Sequence, residues 1–410
     1  VGGRRGDVVI SVEEQLARVL AGAAELPHET VPVDAAHGRV LAVDLRSAIE
    51  SPRDANSAMD GYAVRRADVR GASPDAPVAL RVVGEVAAGS GHDPVIGPGE
   101  AVRIMTGAPV PADADAVVPI ERTADADWAA DPVRIAEEPA PAAHIRPAGD
   151  DLGAGELVLP RGIRLTARAL ASAVGAGVGE LDVVARPRVA IIATGDELAE
   201  PGAPLARGQV HDSNSLLVAA LAVEQGAVVV HRGRAGDAPG ALDAEVRRVL
   251  EASVRPDLIV LTGGVSAGAH DPVTRLALEF AKVAMQPGKP QAFGRIDGVP
   301  VFGLPGNPVS VAVSFEVFVR PFLAVLQGLD PTRPTERAIA DEAWRTPVGR
   351  RQYQPIVAQR VDGVLHVRPA SDRGSGSHLV GRLARAEGFA VVPAEVAAIR
   401  VGDEVEVMLG

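Results

Sequence analysis

Asp257-Leu258-Ile259-Val260-Leu261-Thr262-Gly263-Gly264-Val265-Ser266-Ala267-Gly268-Ala269-His270-Asp271 and Val301-Phe302-Gly303-Leu304-Pro305-Gly306-Asn307-Pro308-Val309-Ser310 are two versions of one plan. Each is a short branched apolar run that ends in a glycine-rich turn. Such a run predicts a buried parallel strand that delivers its loop to the carboxyl edge of a sheet. Ligands of open α/β sheets bind at that edge. Glycine lets backbone amides approach an oxyanion, and a helix N-terminus behind the turn adds partial positive charge.

Between the two turns lies Lys282-Val283-Ala284-Met285-Gln286-Pro287-Gly288-Lys289-Pro290, and it holds both lysines of the chain. A general replacement of Lys by Arg, with two chance survivors, is one reading. The other is two compact, flexible ammonium groups kept for a task that a planar guanidinium performs poorly. The second reading makes them the cationic part of an anion site.

The surrounding sequence supports an α/β core. Val189-Ala190-Ile191-Ile192-Ala193 predicts a strand running into Thr194-Gly195-Asp196-Glu197-Leu198. Asp212-Ser213-Asn214-Ser215 caps a helix over Leu216–Gln225, which Gly226 ends. Val228-Val229-Val230 is a further strand, followed by Gly236-Asp237 and a helix over Ala241–Ala252. Strands alternating with helices of this length give a parallel sheet with right-handed crossovers. Glu197, Asp237, Asp271 and Pro305–Ser310 then sit on loops at one sheet edge. A final helix is predicted over Phe315–Leu326.

Nearer the start, Ser11 and Glu14 form a capping-box pattern before a helix over Val12–Ala24. Ser51–Val64 (SPRDANSAMDGYAV) reads as a binding loop, because it places Met59 and Tyr62 among turn formers. Residues 78–120 alternate short apolar runs with Gly and Pro, the signature of β-structure. Residues 123–143 read as a surface excursion, and a helix is expected over Ala167–Ala176. Beyond a linker at Gly328–Pro334, strand-like runs over 352–361, 365–369, 389–393 and 404–409 predict a small β-domain.

Bulk properties limit the options. A chain of 410 residues holds several domains. A net charge of −12 argues against nucleic acid as a partner, so an anionic ligand needs a local cationic pocket. With no cysteine, disulfides, thiolate metal sites and a thiol nucleophile are excluded. No leader and no membrane-spanning apolar run is evident, which gives the expectation of a cytoplasmic protein without membrane contact. The opening Val1-Gly2-Gly3-Arg4-Arg5 reads as a trimmed or disordered start.

Three acids facing two lysines suit Mg²⁺ together with a phosphate or similar oxyanion, since Mg²⁺ takes one or two carboxylates plus phosphate oxygens and water. The competing reading makes each acid a helix N-terminal residue, where carboxylates are favoured anyway. The nine histidines are scattered without metal-ligand spacing. Neither a dinucleotide fingerprint nor a P-loop occurs, and Ser266 has no evident base beside it.

Several long motifs, in order along the chain, carry a resemblance: Asn56-Ser57-Ala58-Met59-Asp60-Gly61-Tyr62-Ala63, Arg103-Ile104-Met105-Thr106-Gly107-Ala108-Pro109-Val110-Pro111, Thr194-Gly195-Asp196-Glu197-Leu198, Gly263-Gly264-Val265-Ser266, and Gly303–Ser310. Together they resemble the molybdopterin molybdenumtransferase family, to which bacterial MoeA and the E domain of gephyrin belong. The resemblance implies a reaction in which adenylylated molybdopterin and molybdate give molybdenum cofactor and AMP, assisted by Mg²⁺. It also implies a homodimer whose active site is shared between subunits, with other molybdenum-cofactor biosynthesis proteins as further partners.

By the same resemblance the fold is multidomain α/β. A three-layer α/β/α molybdopterin-binding domain with a parallel-rich sheet spans 7–26 and 178–327. A connecting domain spans 27–46 and 145–177, a β-rich domain is inserted at 47–144, and a C-terminal barrel-like β-domain covers 328–410. Asp60, Thr106 and Asp151 are implied to reach the site from the other subunit. Glu197, Lys282 and Lys289 complete the implied catalytic set. Gly264, Ser266, Pro305, Asn307, Pro308 and Ser310 fall at substrate-contacting positions, with Arg373, Ser375 and Ser377 added by the last domain. Asp237 and Asp271 match the acids associated with the metal.

Departures from the family pattern are local. Gln286 stands where many relatives are basic, Asp151 where Glu is commoner, and the segment from Asp271 to Lys282 is short, which would reshape the helix beneath the site. The alternatives are a molybdopterin adenylyltransferase, a scaffold of the receptor-clustering kind, and a cofactor-binding paralogue without catalysis.

Overall fold

The computed structural model describes residues 9–265, 273, 276, 278–371 and 377–410. The chain forms two compact units, one of Val1–Glu29, Gly38–Ala42 and Val183–Gly410, the other of Thr30–His37 and Val43–Asp182.

The first unit is built on a seven-stranded sheet. Its strands are β1 (Val9–Ile10), β2 (Arg188–Thr194), β3 (Val228–Ala235), β4 (Leu258–Thr262), β5 (Leu278–Val283), β6 (Pro290–Ile296) and β7 (Val299–Leu304). Their order across the sheet is β1-β5-β6-β7-β4-β2-β3. Pairing is parallel throughout except on the two sides of β6. Because two antiparallel steps restore direction, β5 runs the same way as β7, β4, β2 and β3. All of these strands therefore end at one edge.

Residues alternate between the two faces of the sheet, as the two-residue period requires. Val189, Ile191, Leu258, Val260, Phe302 and Leu304 enter one core cluster, whereas Ala190, Ile192, Ile259, Leu261 and Val301 enter the other. Helices α1 (Val12–Leu20), α2 (Asn214–Glu224) and α4 (Pro308–Leu326) cover the first face, and α3 (Ala241–Leu250) covers the second. The three-layer expectation holds. Phe302 packs edge-on against Phe293 and Phe322 at centroid distances of 4.9 and 5.3 Å. Burying one such ring stabilises the fold by about 3 kcal/mol.

Helix boundaries follow local chemistry. Ser11 Oγ accepts from the Glu14 amide at 3.0 Å, and the Ser11 amide donates to Glu14 Oε2 at 2.8 Å, the reciprocal box read from the sequence. α1 stops at Leu20, short of Ala24, because Ala21 is extended and Gly22 takes φ +76°. α4 starts at Pro308, seven residues before the expected Phe315, with Pro at its first turn, where no amide donor is needed. A π-turn over Phe315–Val319 joins its two halves. By length and composition α4 could cross a membrane, but 89% of its apolar window is buried inside the protein. The segment entering Lys282 ends in β5, and most of residues 271–277, where the reshaped helix was expected, lie outside the described residues.

Past the linker, strands β8 (Glu336–Ala340), β9 (Arg351–Val361), β10 (Val364–Pro369), β11 (Gly388–Val392) and β12 (Glu404–Leu409) form a five-stranded barrel. The order β9-β10-β8-β12-β11 closes through the pairing of β11 with β9. Met285–Gln286 adds to this barrel in parallel, with Met285 opposite Arg351 and Gln286 opposite Gln352.

The second unit contains a five-stranded sheet of Ala116–Pro119, Gly61–Val64, Glu100–Ile104, Val78–Val86 and Val133–Ile135, in that spatial order, together with the helix Ala167–Gly175. Two expectations change here. Tyr62 is a core residue, fully buried, its hydroxyl donating toward the carbonyls of Asp127 and Trp128 at 2.9 and 3.2 Å. Residues 123–143 are not merely a surface excursion, because Val133 and Ile135 are fully buried and pair along Val78–Leu80.

Candidate active site

The two glycine-rich turns meet. Gly263, at φ +87°, follows β4 and donates its amide to the Leu304 carbonyl at the end of β7, at 3.1 Å. A Cβ on Gly263 would lie 2.8 Å from the Thr194 carbonyl oxygen, and one on Gly306 would lie 3.6 Å from the Gly263 Cα. Close approach of β2, β4 and β7 at this edge thus depends on the bare backbone of Gly263. Gly264 continues the turn at φ +68°.

Behind the second turn, Pro305 is buried, Asn307 caps α4, and Pro308 opens it. The last domain reaches this point through Ser377. Asn307 Nδ2 donates to Ser377 Oγ at 2.9 Å, and the Val309 amide donates to the Ser377 carbonyl at 3.0 Å. Ser310 is only 4% exposed, so its hydroxyl is enclosed in the first turn of α4.

Both lysines arrive at the same edge by a different route. β5 and β6 form a hairpin whose connection, 284–289, lies where β5 ends. Lys282 stands opposite Pro290 in the register, and the Val283 amide donates to the Lys289 carbonyl at 2.7 Å. Lys289 is exposed and Lys282 half-buried. Gln286 is engaged by the barrel strand β9.

The acidic side of the edge comes from the loops after β2 and β3. The Asp196 amide donates to Asp237 Oδ2 at 3.3 Å, and the Asp237 amide donates to Asp196 Oδ1 at 3.1 Å. This reciprocal pair locks the two loops together. Glu197 folds back over Gly195, where a Cβ would come within 2.2 Å of Glu197 Oε2. Asp196, Glu197 and Asp237 are all exposed. Among the described residues no group of three or more His, Asp or Glu is placed to hold a metal by itself. The hard oxygens of Asp196 and Asp237 do fit Mg²⁺, which needs only one or two protein carboxylates when substrate oxygens complete its shell.

In the second unit, Asp60 Oδ1 accepts from the Thr106 amide at 2.6 Å and from Thr106 Oγ1 at 2.9 Å. These bonds hold the Asp60 carboxyl below the usual aspartate range, the backbone donor contributing most. The segment carrying Asp60 is also tied to the Asp151 loop, where the Asp151 amide donates to the Ser51 carbonyl at 2.9 Å. Asp60, Thr106 and Asp151 are all exposed. Ser266, Asp271, Arg373 and Ser375 lie outside the described residues, as do His270 and the first eight residues.

Two polar residues at the edge escaped the sequence reading. Asp196 was passed over for its neighbour Glu197, although its carboxylate is the one bonded across to Asp237. Asn214 was read as part of a helix cap, yet its Nδ2 donates to the Gly306 carbonyl at 2.6 Å and its buried Oδ1 has no hydrogen-bond partner among the described residues. The only sequence signal was a second amide-bearing residue just before a helix.

Comparison with known proteins gives this geometry a family. Residues 10–177 match the MoeA N-terminal region (domain I and II), residues 190–325 the probable molybdopterin binding domain, and residues 337–409 the MoeA C-terminal region (domain IV). The chain is 42% identical over 391 residues to molybdopterin molybdenumtransferase 2 of Mycobacterium tuberculosis (strain ATCC 25618 / H37Rv), covering 92% of this chain and 94% of that one. It is 34% identical over 393 residues to the molybdopterin molybdenumtransferase of Nostoc sp., covering 93% and 88%. A crystal structure of the molybdopterin biosynthesis MoeA protein from Pyrococcus horikosii superposes with a TM-score of 0.83 at 31% identity, covering 98% of this chain and 99% of that one. With all three family regions present in order, this chain belongs to the molybdopterin molybdenumtransferase (MoeA) family.

Proposed function

We propose that this protein is a molybdopterin molybdenumtransferase, which inserts molybdate into adenylylated molybdopterin and releases AMP. The observation that carries this reading is the convergence on one sheet edge of two touching glycine-rich turns, the N-terminus of α4, and a hairpin bearing both lysines of the chain.

Molybdate is a tetrahedral dianion, and the nucleotide-linked substrate carries a pyrophosphate. Backbone amides of the turns and the ammonium groups of Lys282 and Lys289 suit such groups without a covalent nucleophile. The positive end of α4 adds to the same field. Gly264, Ser266, Pro305, Asn307, Pro308 and Ser310 are proposed to contact the substrate, with Arg373, Ser375 and Ser377 proposed as further contacts from the C-terminal domain. Bound Mg²⁺ would supply positive charge to offset that of the phosphates; Asp237 and Asp271 would hold it, with the Asp196 carboxylate beside Asp237 as a further oxygen source. Glu197, on the loop after β2, is proposed as a further catalytic acid of the site.

The four-domain division and the homodimer belong to the same proposal. Asp60, Thr106 and Asp151 are proposed to complete the site of the opposite subunit. A cytoplasmic location accords with a chain that has no cysteine and in which, among the described residues, the long apolar helix α4 is buried in its own core.

The test is molybdenum insertion by purified protein supplied with adenylylated molybdopterin, Mg²⁺ and low molybdate. Molybdate-dependent AMP release by the wild type, lost in Asp237→Asn, supports the reading. Tight binding of the nucleotide substrate without AMP release would replace it with a non-catalytic cofactor-binding role.

A further inference from the structure

Gln291, on β6 just past the lysine hairpin, is a polar side chain with 2% exposure. Burying an amide is costly unless its hydrogens are used. Both are used, and they point in two directions. Gln291 Nε2 donates to the Gly288 carbonyl at 2.7 Å and to Ser314 Oγ at 2.7 Å. Gly288 immediately precedes Lys289. Ser314 is fully buried and lies in α4, the helix whose first turn carries Pro308 and Ser310.

The packing around this bolt is close. Gly288 has φ +100°, and a Cβ there would lie 3.0 Å from Ser314 Oγ and 3.2 Å from Met285 Cε. The hairpin is fixed elsewhere too: Val283 donates to the Lys289 carbonyl, Ala284 donates to the Ile10 carbonyl at 2.8 Å, and Arg351 donates to the Ala284 carbonyl at 2.9 Å. The Gln291 amide joins the hairpin to α4, donating to a backbone carbonyl on one side and to a hydroxyl on the other.

We infer that Gln291 is a positioning residue for oxyanion binding, which sets the distance between the Lys289 ammonium and the Pro305–Ser310 turn through Gly288 on one side and Ser314 on the other. This deepens the proposed function and rests on it for the identity of the anion. Gln291 acts through Lys289 and touches no substrate. Its effect therefore belongs on anion affinity, whereas a merely structural residue would lower the folded fraction and leave the affinity of the remaining protein unchanged.

The experiment compares wild type, Gln291→Met, Ser314→Ala and the double variant in two assays. The first is AMP release against molybdate concentration. The second is amide hydrogen exchange of peptides spanning 284–290 and 315–326. Expected for Gln291→Met is a KM for molybdate raised about tenfold with kcat within about twofold, since small displacements of a binding group have effects of this order. Exchange over 284–290 speeds up while that over 315–326 does not. The double variant falls short of the sum of the singles, because both act on one network. If Gln291→Met does not fold, Ser314→Ala is judged by the same two readouts. Unchanged KM together with unchanged exchange over 284–290 in a folded variant overturns the inference, as does a fall in kcat alone. Absence of AMP release by the wild type overturns the transferase reading instead, and equilibrium binding of molybdate to wild type and Gln291→Met then decides the positioning role, unchanged affinity overturning it.

Discussion

Thr106 shows how two hydrogen bonds tune a single carboxylate. Its amide and hydroxyl both donate to Asp60 Oδ1, and the Asp60 carboxyl is held down as a result. Thr106→Val keeps the amide donor and removes the hydroxyl. The Asp60 titration, followed by carboxyl-carbon NMR, should then move up toward the ordinary aspartate range without reaching it. A carboxylate whose folded pKa is depressed contributes stability above its unfolded pKa and loses it as pH falls through the folded value. Acid titration of wild type against Asp60→Asn should accordingly show their stability difference shrinking below the ordinary aspartate range. Lys289→Ala is expected to lower kcat/KM for molybdate insertion on the order of 10²-fold, and Lys289→Arg to recover only part of the loss. The lysines were legible in the sequence because they were rare and close together. Asp196, Asn214 and the burial of Tyr62 were not, since each acquires its role from a partner far along the chain: Asp237, Gly306 and Asp127.

At the level of elements, the glycine turn after β4 and the π-turn of α4 make opposite demands. Gly263→Ala would place a methyl 2.8 Å from the Thr194 carbonyl at φ +87°. It should cost about 1–3 kcal/mol of stability in urea unfolding and impair anion binding at the same time. In the π-turn, Glu316 has Arg320 Nε at 3.6 Å and Arg333 Nη1 at 3.4 Å, with only 12% of its side chain exposed. Burial pushes the Glu316 carboxyl up, against the pull of Arg333 and Arg320, and burial likewise pushes the Arg320 guanidinium down. Glu316→Ala leaves Arg320 buried without its partner and is expected to destabilise by about 3 kcal/mol. Glu316→Met with Arg320→Met should recover most of that, because the pair itself is costly to bury. Most strands and helices were readable from period and caps. The start of α4 was misplaced by seven residues because Pro305-Gly306-Asn307-Pro308 reads locally as a turn, and only packing behind that turn shows Pro308 to be a helix opener.

For the whole molecule, the shared-site proposal makes a quantitative demand. If Asp60 serves the opposite subunit, a protein carrying Asp60→Ala and one carrying Lys289→Ala should complement when unfolded and refolded together. Random pairing gives half heterodimers, each with one intact site of two, so about one quarter of wild-type activity should return. No recovery, with dimers verified by sedimentation, would place each site within a single chain. Domain order along the chain was legible through the long motifs; the interrupted course that joins residues 7–26 to 178–327 was implied only by the family resemblance, because the early piece is too short to show by its own pattern which core it joins.

That interrupted course sets a schedule for synthesis. Val9 of β1 pairs with Lys282 of β5, so the strand made first waits for a partner made far later. At ribosomal speeds of 5–20 residues per second, the wait is roughly 15–55 s. Meanwhile the second unit, contiguous from Val43 to Asp182, is complete and free to fold on the emerging chain. The apolar face of α1, with Val12 and Val19 destined for the core, stays uncovered throughout that interval. Nascent chains should therefore be captured by chaperones through the α1 segment and released only after the lysine hairpin has left the exit tunnel.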